Sequence, residues 1–296
     1  MKTMVRLSLY PPARPQSIGE VLESGFRLFR ATLGHCLPYG ALLVIAGDLG
    51  NFYDLFSGRL PPTTLEHALE HDHIWWTWYG IGFALMLLIW GALLLRQDAL
   101  ARRRPISIRA ELAASLRKFP QLVALTVLAW AGITLGLLLL IAPGLYLAVA
   151  LAFGAPALLI GGAGGPVRAL TESARLVRGE WRRTALLIVL VILTTLTAYL
   201  LLVAILTAVS ASIAITGAAD RTLIASFSEM AGVIVGSITA PFESAMILAI
   251  YADLLRRSEA RGAMTDAGAP ASSGDGSGTG PGGDARIGSD ARAENR

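Results

Sequence analysis

The stretch that decides the fold is PVRALTESARLVRGEWRRT, residues 166–184. Its apolar side chains recur at the spacing of one helix face beneath an arginine-rich face: Val167, Leu170, Ala174, Val177 and Trp181. This pattern predicts a basic amphipathic helix. Residues 185–205 follow directly without any charged residue, and a run of this length is enough for one bilayer crossing. We therefore expect the basic helix to lie on a membrane surface and to lead the chain into a span.

The composition is that of an integral membrane protein. Hydrophobic residues make up 54% of the 296 residues, charged residues only 16%, and the mean hydropathy is +0.59. Soluble domains carry about a quarter of charged residues. The length accommodates about six transmembrane helices and no further catalytic domain. The net charge of +4 comes from basic residues beside hydrophobic spans, so we expect anionic lipid headgroups as partners and no nucleic acid.

The chain is predicted to be an all-α polytopic membrane protein with three regions. Residues 1–16 form an N-terminal cytoplasmic segment, residues 17–258 the six-helix membrane domain, and residues 259–296 a disordered cytoplasmic tail rich in Gly, Ser, Ala and Asp. The N-terminus lacks the continuous apolar core of a cleaved signal peptide. Cys36 is the only cysteine, so no disulfide within one chain is expected, and no cofactor is predicted.

Six spans are predicted from the uncharged runs. They cover residues 33–50, 74–95, two spans within 122–160 that turn at Pro143-Gly144, 185–205 and 231–251. The first span is the weakest, because His35, Pro38 and Asp48 interrupt it. The run after residue 185 continues uncharged to Ala219, and we interpret it as one span followed by a weakly polar exit.

Amphipathic surface helices are predicted before spans 1, 3 and 5. Ser17 and Glu20 match a capping box that begins the first, at residues 17–30, and residues 107–119 form the second. SIGEVLESGFRLF at Ser17 aligns without gaps with SIRAELAASLRKF at Ser107. The chain is therefore either three copies of a surface helix followed by a hairpin, or a chain in which any basic amphipathic helix gives such matches.

The positive charges predict the topology. All lysines and arginines except Arg59 and Arg221 fall within residues 1–35, 96–121, 161–184 and after 251. Because positive loops stay in the cytoplasm, both termini are expected there, in a bacterial inner membrane, and the acidic connection at residues 51–73 is expected outside.

Four segments together resemble one bacterial family. They are Pro15–Phe29, Pro143–Leu147, Glu172–Trp181 and Tyr251–Arg256. The set resembles the glycerophosphoryl diester phosphodiesterase membrane-domain family. The resemblance implies a six-helix membrane protein, mostly of unknown function, sometimes fused to a phosphodiesterase barrel. No residues here correspond to that barrel, so the hydrolase activity is not carried over. Ala252 and Leu255 depart from the family's pattern.

Glu243 is the sharpest single candidate for a functional residue. It falls in the middle of span 6, where an ionised carboxylate costs at least about 2.5 kcal/mol. Pro241, two residues earlier, is expected to kink the helix. One hypothesis is a proton or substrate site in a water-lined cavity. The other is a structural glutamate hydrogen bonded to a neighbouring span through Thr194, Thr195, Thr197 or Tyr199.

Two further motifs carry weaker hypotheses. His67, His71 and His73 match an H-x-x-E-H pattern of zinc peptidases with one additional histidine. The loop is too short for a closed zinc site, so a solvated acidic loop is the main interpretation, with adventitious metal binding as the alternative. Arginines beside the spans are candidates for anionic-lipid binding, or serve only as topology signals. They are Arg102, Arg103, Arg104, Arg175, Arg178, Arg182 and Arg183.

The sequence favours a non-enzymatic membrane protein that acts as a lipid-facing scaffold or partner-binding module. Its expected partners are membrane lipids, a second copy of the chain or another membrane protein. The alternative is a small-solute or lipid transporter that uses Glu243, and a membrane enzyme comes third.

Overall fold

The computed structural model describes residues 12, 14–59, 71–104, 107–215 and 221–268. Within these residues the regular secondary structure is entirely α-helical. The helices are α1 Ile18–Gly47, α2 Leu49–Phe56, α3 His73–Ala101, α4 Ile108–Leu139, α5 Ile141–Leu151, α6 Gly154–Leu159, α7 Pro166–Val177, α8 Trp181–Ile215 and α9 Arg221–Gly268.

Six segments of the described chain are long and apolar enough to cross a membrane, which agrees with the predicted number. They are Ile18–Gly47, His73–Ala101, Ile108–Leu139, Ile141–Leu159, Trp181–Val209 and Met230–Ala263. The protein is therefore an all-α polytopic membrane protein, as the apolar runs predict. α5 and α6 together form the fourth segment, with a break at residues 152–153.

The first two predicted surface helices are not separate elements. α1 begins with the predicted capping box, in which Ser17 accepts from the amide of Glu20, and then continues without a break through Pro38. α4 likewise joins the predicted surface helix at residues 107–119 to span 3. No glycine or proline separates the amphipathic turns from the apolar turns at Arg30–Leu33, so nothing ends the helix there.

The hairpin between α4 and α5 turns three residues before the predicted Pro143-Gly144. Leu140 is extended, with φ −167° and ψ 150°, and separates the two helices. Pro143 lies in the first turn of α5, where a missing amide breaks no helical hydrogen bond. Gly144 then lies so close to Gly136 that a Cβ on Gly136 would be 2.9 Å from the Gly144 Cα.

α7 is a separate helix, as predicted, and its buried face coincides in part with the predicted one. Val177 is buried and Leu170 packs against the core, as predicted. Val167 is 61% exposed, whereas Ala169, Ser173 and Leu176 are buried. α7 packs against α4, α5 and α6 and ends near Gly179, which has a positive φ of 91°. It is therefore a packed part of the bundle and not only a surface element.

The chain divides into two units, residues 1–259 and 260–296. The core of the first unit includes Leu28, Leu94, Phe153, Leu176 and Leu248, contributed by α1, α3, the α5–α6 break, α7 and α9. In the second unit the structure describes residues 260–268, which are helical. This part of the predicted tail at 259–296 is therefore helical, and the residues after Gly268 lie outside the described part of the chain.

Candidate functional site

Glu243 lies in an apolar groove between α8, α9 and the α5–α6 break. The groove has a volume of about 200 Å³. Seven other residues line it, and all are apolar: Ala152, Phe153, Ile188, Val191, Ile192, Ile247 and Ile250. Glu243 is half-buried and provides the polar group of this lining. The structure therefore places the predicted carboxylate in a hydrophobic site within a candidate span.

Thr195 is the residue among the predicted hydrogen-bond partners that faces Glu243. Its buried hydroxyl makes no hydrogen bond of normal length, so the two groups are neighbours without a tight contact. Thr194 and Thr197 donate instead to the carbonyls of their own helix, at 2.8 Å and 2.7 Å. Thr195 is therefore a neighbour of Glu243, but the predicted hydrogen bond between the two spans is not formed at normal length.

Pro241 marks the place where α9 meets α1 and α3. Its carbonyl oxygen accepts a hydrogen bond of 2.8 Å from the buried amide of Gln97. The proline ring removes the amide that would bond the Ser237 carbonyl four residues earlier. That carbonyl faces Gly40 of α1, where an added Cβ would lie only 2.4 Å from its oxygen. The Pro241 and Ser237 carbonyls are therefore buried at contacts between helices, where they serve helix packing.

A buried ion pair joins α3 and α4. Glu111 is 1% exposed and accepts from Arg96 at 3.0 Å and from the Tyr39 hydroxyl at 2.7 Å. Because each carboxylate oxygen has a partner, the charge is compensated within the protein. This three-residue contact ties α1, α3 and α4 together, and we assign it a structural role.

A second buried network surrounds Asp253, which is fully buried. Its carboxylate accepts from the Gln16 amide at 2.7 Å, from Arg183, and from Arg257 at 3.0 Å. Both guanidinium groups also donate to the Gln16 carbonyl, each at 2.6 Å. The network therefore binds the backbone N–H and C=O of Gln16, in the N-terminal segment, between the start of α8 and the end of α9.

Some of the predicted lipid-binding arginines are exposed, and some form ion pairs within the protein. Arg103, Arg104 and Arg182 are exposed, as are Arg175 and Arg178. Arg102 pairs with Asp98 at 2.8 Å and Arg175 with Glu172 at 3.4 Å. Arg183 is only 16% exposed and is engaged by Asp253, so it leaves the set of lipid-binding candidates.

The predicted histidine site is only partly described. His67 lies outside the described residues, His73 is the first residue of α3, and His71 contacts the buried Asp54 at 3.0 Å. Among the described residues no group of three His, Cys, Asp or Glu side chains is placed to hold a metal ion. Asp72 caps α3 by accepting from the Trp75 amide, and this hydrogen bond lowers the pKa of its carboxyl.

Three polar residues with central contacts were not predicted. Asp253, Glu111 and Ser173 are buried, and Ser173 accepts from the Phe153 amide at 3.1 Å and donates to the Ala150 carbonyl at 2.6 Å. One signal was present in the sequence: Glu111 is the only acidic residue in the basic stretch 107–121. Nothing comparable distinguishes Ser173.

The helical bundle, the apolar faces and the buried ion pairs define a polytopic membrane protein of all-α type. The chain belongs to the family of the domain of unknown function DUF7847, whose sequence pattern matches residues 77–254. The match runs from α3 to α9 and includes Glu111, Ser173, Glu243 and Asp253. No curated protein matches the chain significantly, and no solved structure does.

Proposed function

We propose that this protein is a non-enzymatic scaffold or partner-binding module of a bacterial inner membrane, with both termini in the cytoplasm. Its cytoplasmic face binds anionic lipid headgroups. The observation that carries the proposal is the exposure of Arg103, Arg104 and Arg182 directly beside apolar segments that are long enough to span a membrane. Guanidinium groups at this position attract anionic headgroups with about 1 kcal/mol each.

The exposed apolar surface of α8 supports a role in contact with lipid or with another membrane protein. Only 6% of the most apolar part of this helix, within Trp181–Val209, is buried inside the protein. Leu186, Ile192, Leu200 and Ile205 are each about half exposed. A second copy of the chain is an equally suitable partner for this face, as is a membrane protein with a complementary apolar helix.

Electron paramagnetic resonance of spin-labelled lipids in reconstituted bilayers tests the proposal. It measures how strongly the protein selects phosphatidylglycerol over phosphatidylcholine. We expect the native protein to prefer the anionic lipid, and expect the combined Arg103→Gln, Arg104→Gln and Arg182→Gln variant to lose most of that preference. Arg59→Gln is the matched control, because Arg59 is exposed on the predicted external side. Equal selectivity in native and triple-variant protein would contradict headgroup binding.

The groove at Glu243 favours a second candidate, a transporter of small solutes or lipids. A single carboxylate in an otherwise apolar groove is a typical site for proton coupling. Proton-coupled flux into proteoliposomes that is abolished by Glu243→Gln, and retained in the exposed Glu259→Gln, would support this candidate. Absence of flux in both variants and in the native protein would leave the scaffold as the better proposal.

A further inference from the structure

A second groove lies between α8 and α1, next to the groove at Glu243. Its volume is about 440 Å³, and Phe242 and Met246 of α9 form its floor. The walls are Leu22, Glu23 and Phe26 of α1 and Leu190, Val191 and Thr194 of α8. Val191 also lines the groove at Glu243, so the two grooves adjoin at this residue of α8.

The α1 wall of this groove is charged. Glu23, Arg27 and Arg30 are all exposed. Arg27 lies 3.9 Å from Glu23, and the Arg30 guanidinium lies over the Phe26 ring, 6.0 Å from its centre. Two positive groups and one negative group are therefore gathered along two turns of α1, at the edge of an apolar groove.

The α8 wall opposite these charges is apolar. Leu190 and Thr194 lie about 14 to 20 Å along α8 from its first residue, Trp181. Both fall inside Trp181–Val209, the segment with the highest mean hydropathy of the six candidate spans. Exposed arginines beside such a segment are costly in a membrane unless a phosphate or water reaches them.

The lining excludes a polar solute as the ligand. Among the described residues that line the groove, the one polar residue besides Glu23 is Thr194, and its hydroxyl already donates to the Leu190 carbonyl at 2.8 Å. A soluble molecule would lose its hydration without gaining hydrogen bonds along the groove. An acyl chain would lose nothing, because the lining replaces other hydrocarbon.

We propose that this groove binds one phospholipid with a zwitterionic ethanolamine headgroup. Its phosphate contacts Arg27 and Arg30, its ammonium group contacts Glu23, and one acyl chain lies along Phe26, Leu190 and Met246. The complementarity rests on both signs of charge. Glu23 is paired with Arg27 at 3.9 Å; a phosphate that engages Arg27 takes this partner away, and the ammonium group of ethanolamine replaces it, whereas a purely anionic headgroup does not. This proposal rests on the proposed role in lipid binding and adds a specific site with its own headgroup preference.

Native mass spectrometry in detergent, after exchange with equal amounts of phosphatidylethanolamine and phosphatidylglycerol, tests the site. We expect the native protein to retain one phosphatidylethanolamine per chain. The combined Arg27→Gln and Arg30→Gln variant is expected to lose at least most of it. Glu23→Gln is expected to keep a bound phospholipid but to reverse the preference toward phosphatidylglycerol.

Two further variants keep the test decisive. Thr194→Trp fills the groove without changing a charge, and because Thr194 is exposed we expect it to fold and to lose the bound lipid. Arg103→Gln with Arg104→Gln alters the proposed anionic-lipid surface only, so it should retain phosphatidylethanolamine. Equal retention of phosphatidylethanolamine in the native protein and in the Thr194→Trp and Arg27/Arg30 variants would overturn the proposed site. The proposed selectivity for phosphatidylglycerol does not depend on this result, because the spin-label experiment tests it separately.

Discussion

The Asp253 carboxylate holds three separate parts of the chain together. It contacts the Gln16 amide and the guanidinium groups of Arg183 and Arg257 while only 1% of its side chain is exposed. Removing one member of such a buried group leaves the others uncompensated, at a cost of about 3 to 5 kcal/mol. Its contacts are therefore architectural, and its substitution should affect stability.

We expect Asp253→Asn to lower the free energy of unfolding by about 3 kcal/mol, because the amide keeps the shape but removes the buried negative charge that Arg183 and Arg257 share. Chemical denaturation in detergent measures the change. The matched control is Glu259→Gln, whose carboxylate pairs with Arg256 but is 61% exposed, and which should change stability by less than about 0.5 kcal/mol. Similar losses in both variants would contradict the assigned difference.

Asp48 gives a pH-dependent prediction. Burial raises the pKa of its carboxyl above the ordinary value of about 3.9. The folded state then disfavours the ionised carboxylate, so native Asp48 lowers the free energy of unfolding at pH values above the raised pKa. This loss of stability disappears as the pH falls through the raised pKa. We expect Asp48→Asn to be more stable than the native protein at pH 7, and expect the difference to shrink as the pH approaches 4. Thermal unfolding in detergent at both pH values measures it; a difference independent of pH would contradict the assignment.

The contacts of the buried polar residues could not be predicted from the sequence, because their partners lie far away along the chain. Asp253, Glu111 and Ser173 act through partners 237, 72 and 23 residues away in the chain, respectively Gln16, Tyr39 and Ala150. A pattern of polarity reports the local environment of a residue, whereas these contacts depend on how helices meet. Glu243 was predictable because a carboxylate in an uncharged run is anomalous by itself.

The contact of α1 with α9 depends on glycine at the element scale. At Gly40 an added Cβ would lie 2.4 Å from the Ser237 carbonyl oxygen, and that backbone atom cannot move away without shifting α9. At Gly34 of the same helix, the added Cβ has no contact within 4 Å in the described part of the chain beyond the backbone next to it. The two glycines therefore form a matched pair for a packing test.

We expect Gly40→Ala to lower the free energy of unfolding by about 1 to 3 kcal/mol through overpacking. Gly34→Ala should be neutral or slightly stabilising, because alanine favours the helix and meets open space. Unfolding of both variants in the same detergent gives the comparison. A larger loss in Gly34→Ala than in Gly40→Ala would show that α1 does not pack on α9 as described.

The docking of α7 depends on Ser173. Its hydroxyl bonds both the Phe153 amide and the Ala150 carbonyl at the α5–α6 break, so Ser173→Ala leaves two buried backbone groups unpaired. We expect a loss of about 1 to 3 kcal/mol in the free energy of unfolding. Thr171→Ala is the control, because the exposed Thr171 hydroxyl only bonds its own helix. Equal effects would mean that Ser173 does not hold the break.

Apolar runs predicted the elements better than their boundaries. The six spans, the capping box at Ser17 and the separate helix from Pro166 agree with the structure. The joins at Arg30 and Phe119 and the turn at Leu140 do not agree, since a change from charged to apolar residues marks a membrane boundary and does not by itself end a helix. At the second join the helix continues even through Pro120. The buried face of α7 was predicted only in part: Val177 is buried as expected, whereas Ser173 is buried for its hydrogen bonds and not for apolarity.

At the scale of the molecule, the charge distribution predicts orientation. In a Cys36→Ser background, Ser57→Cys follows α2 on the predicted external side and Arg104→Cys is exposed on the predicted cytoplasmic side. We expect a membrane-impermeant maleimide to label the Ser57 position in spheroplasts and to label the Arg104 position only after permeabilisation. The reverse pattern would place both termini outside.

Native mass spectrometry of the protein in nanodiscs formed directly from its own membrane tests the central claim, that this is a lipid-binding scaffold. We predict co-purified phospholipids enriched in anionic headgroups relative to the surrounding membrane, and this enrichment should survive Glu243→Gln and fall in the Arg103, Arg104 and Arg182 triple variant. A lipid composition equal to that of the bulk membrane, together with a small solute that is lost in Glu243→Gln, would contradict the claim and identify the protein as a transporter.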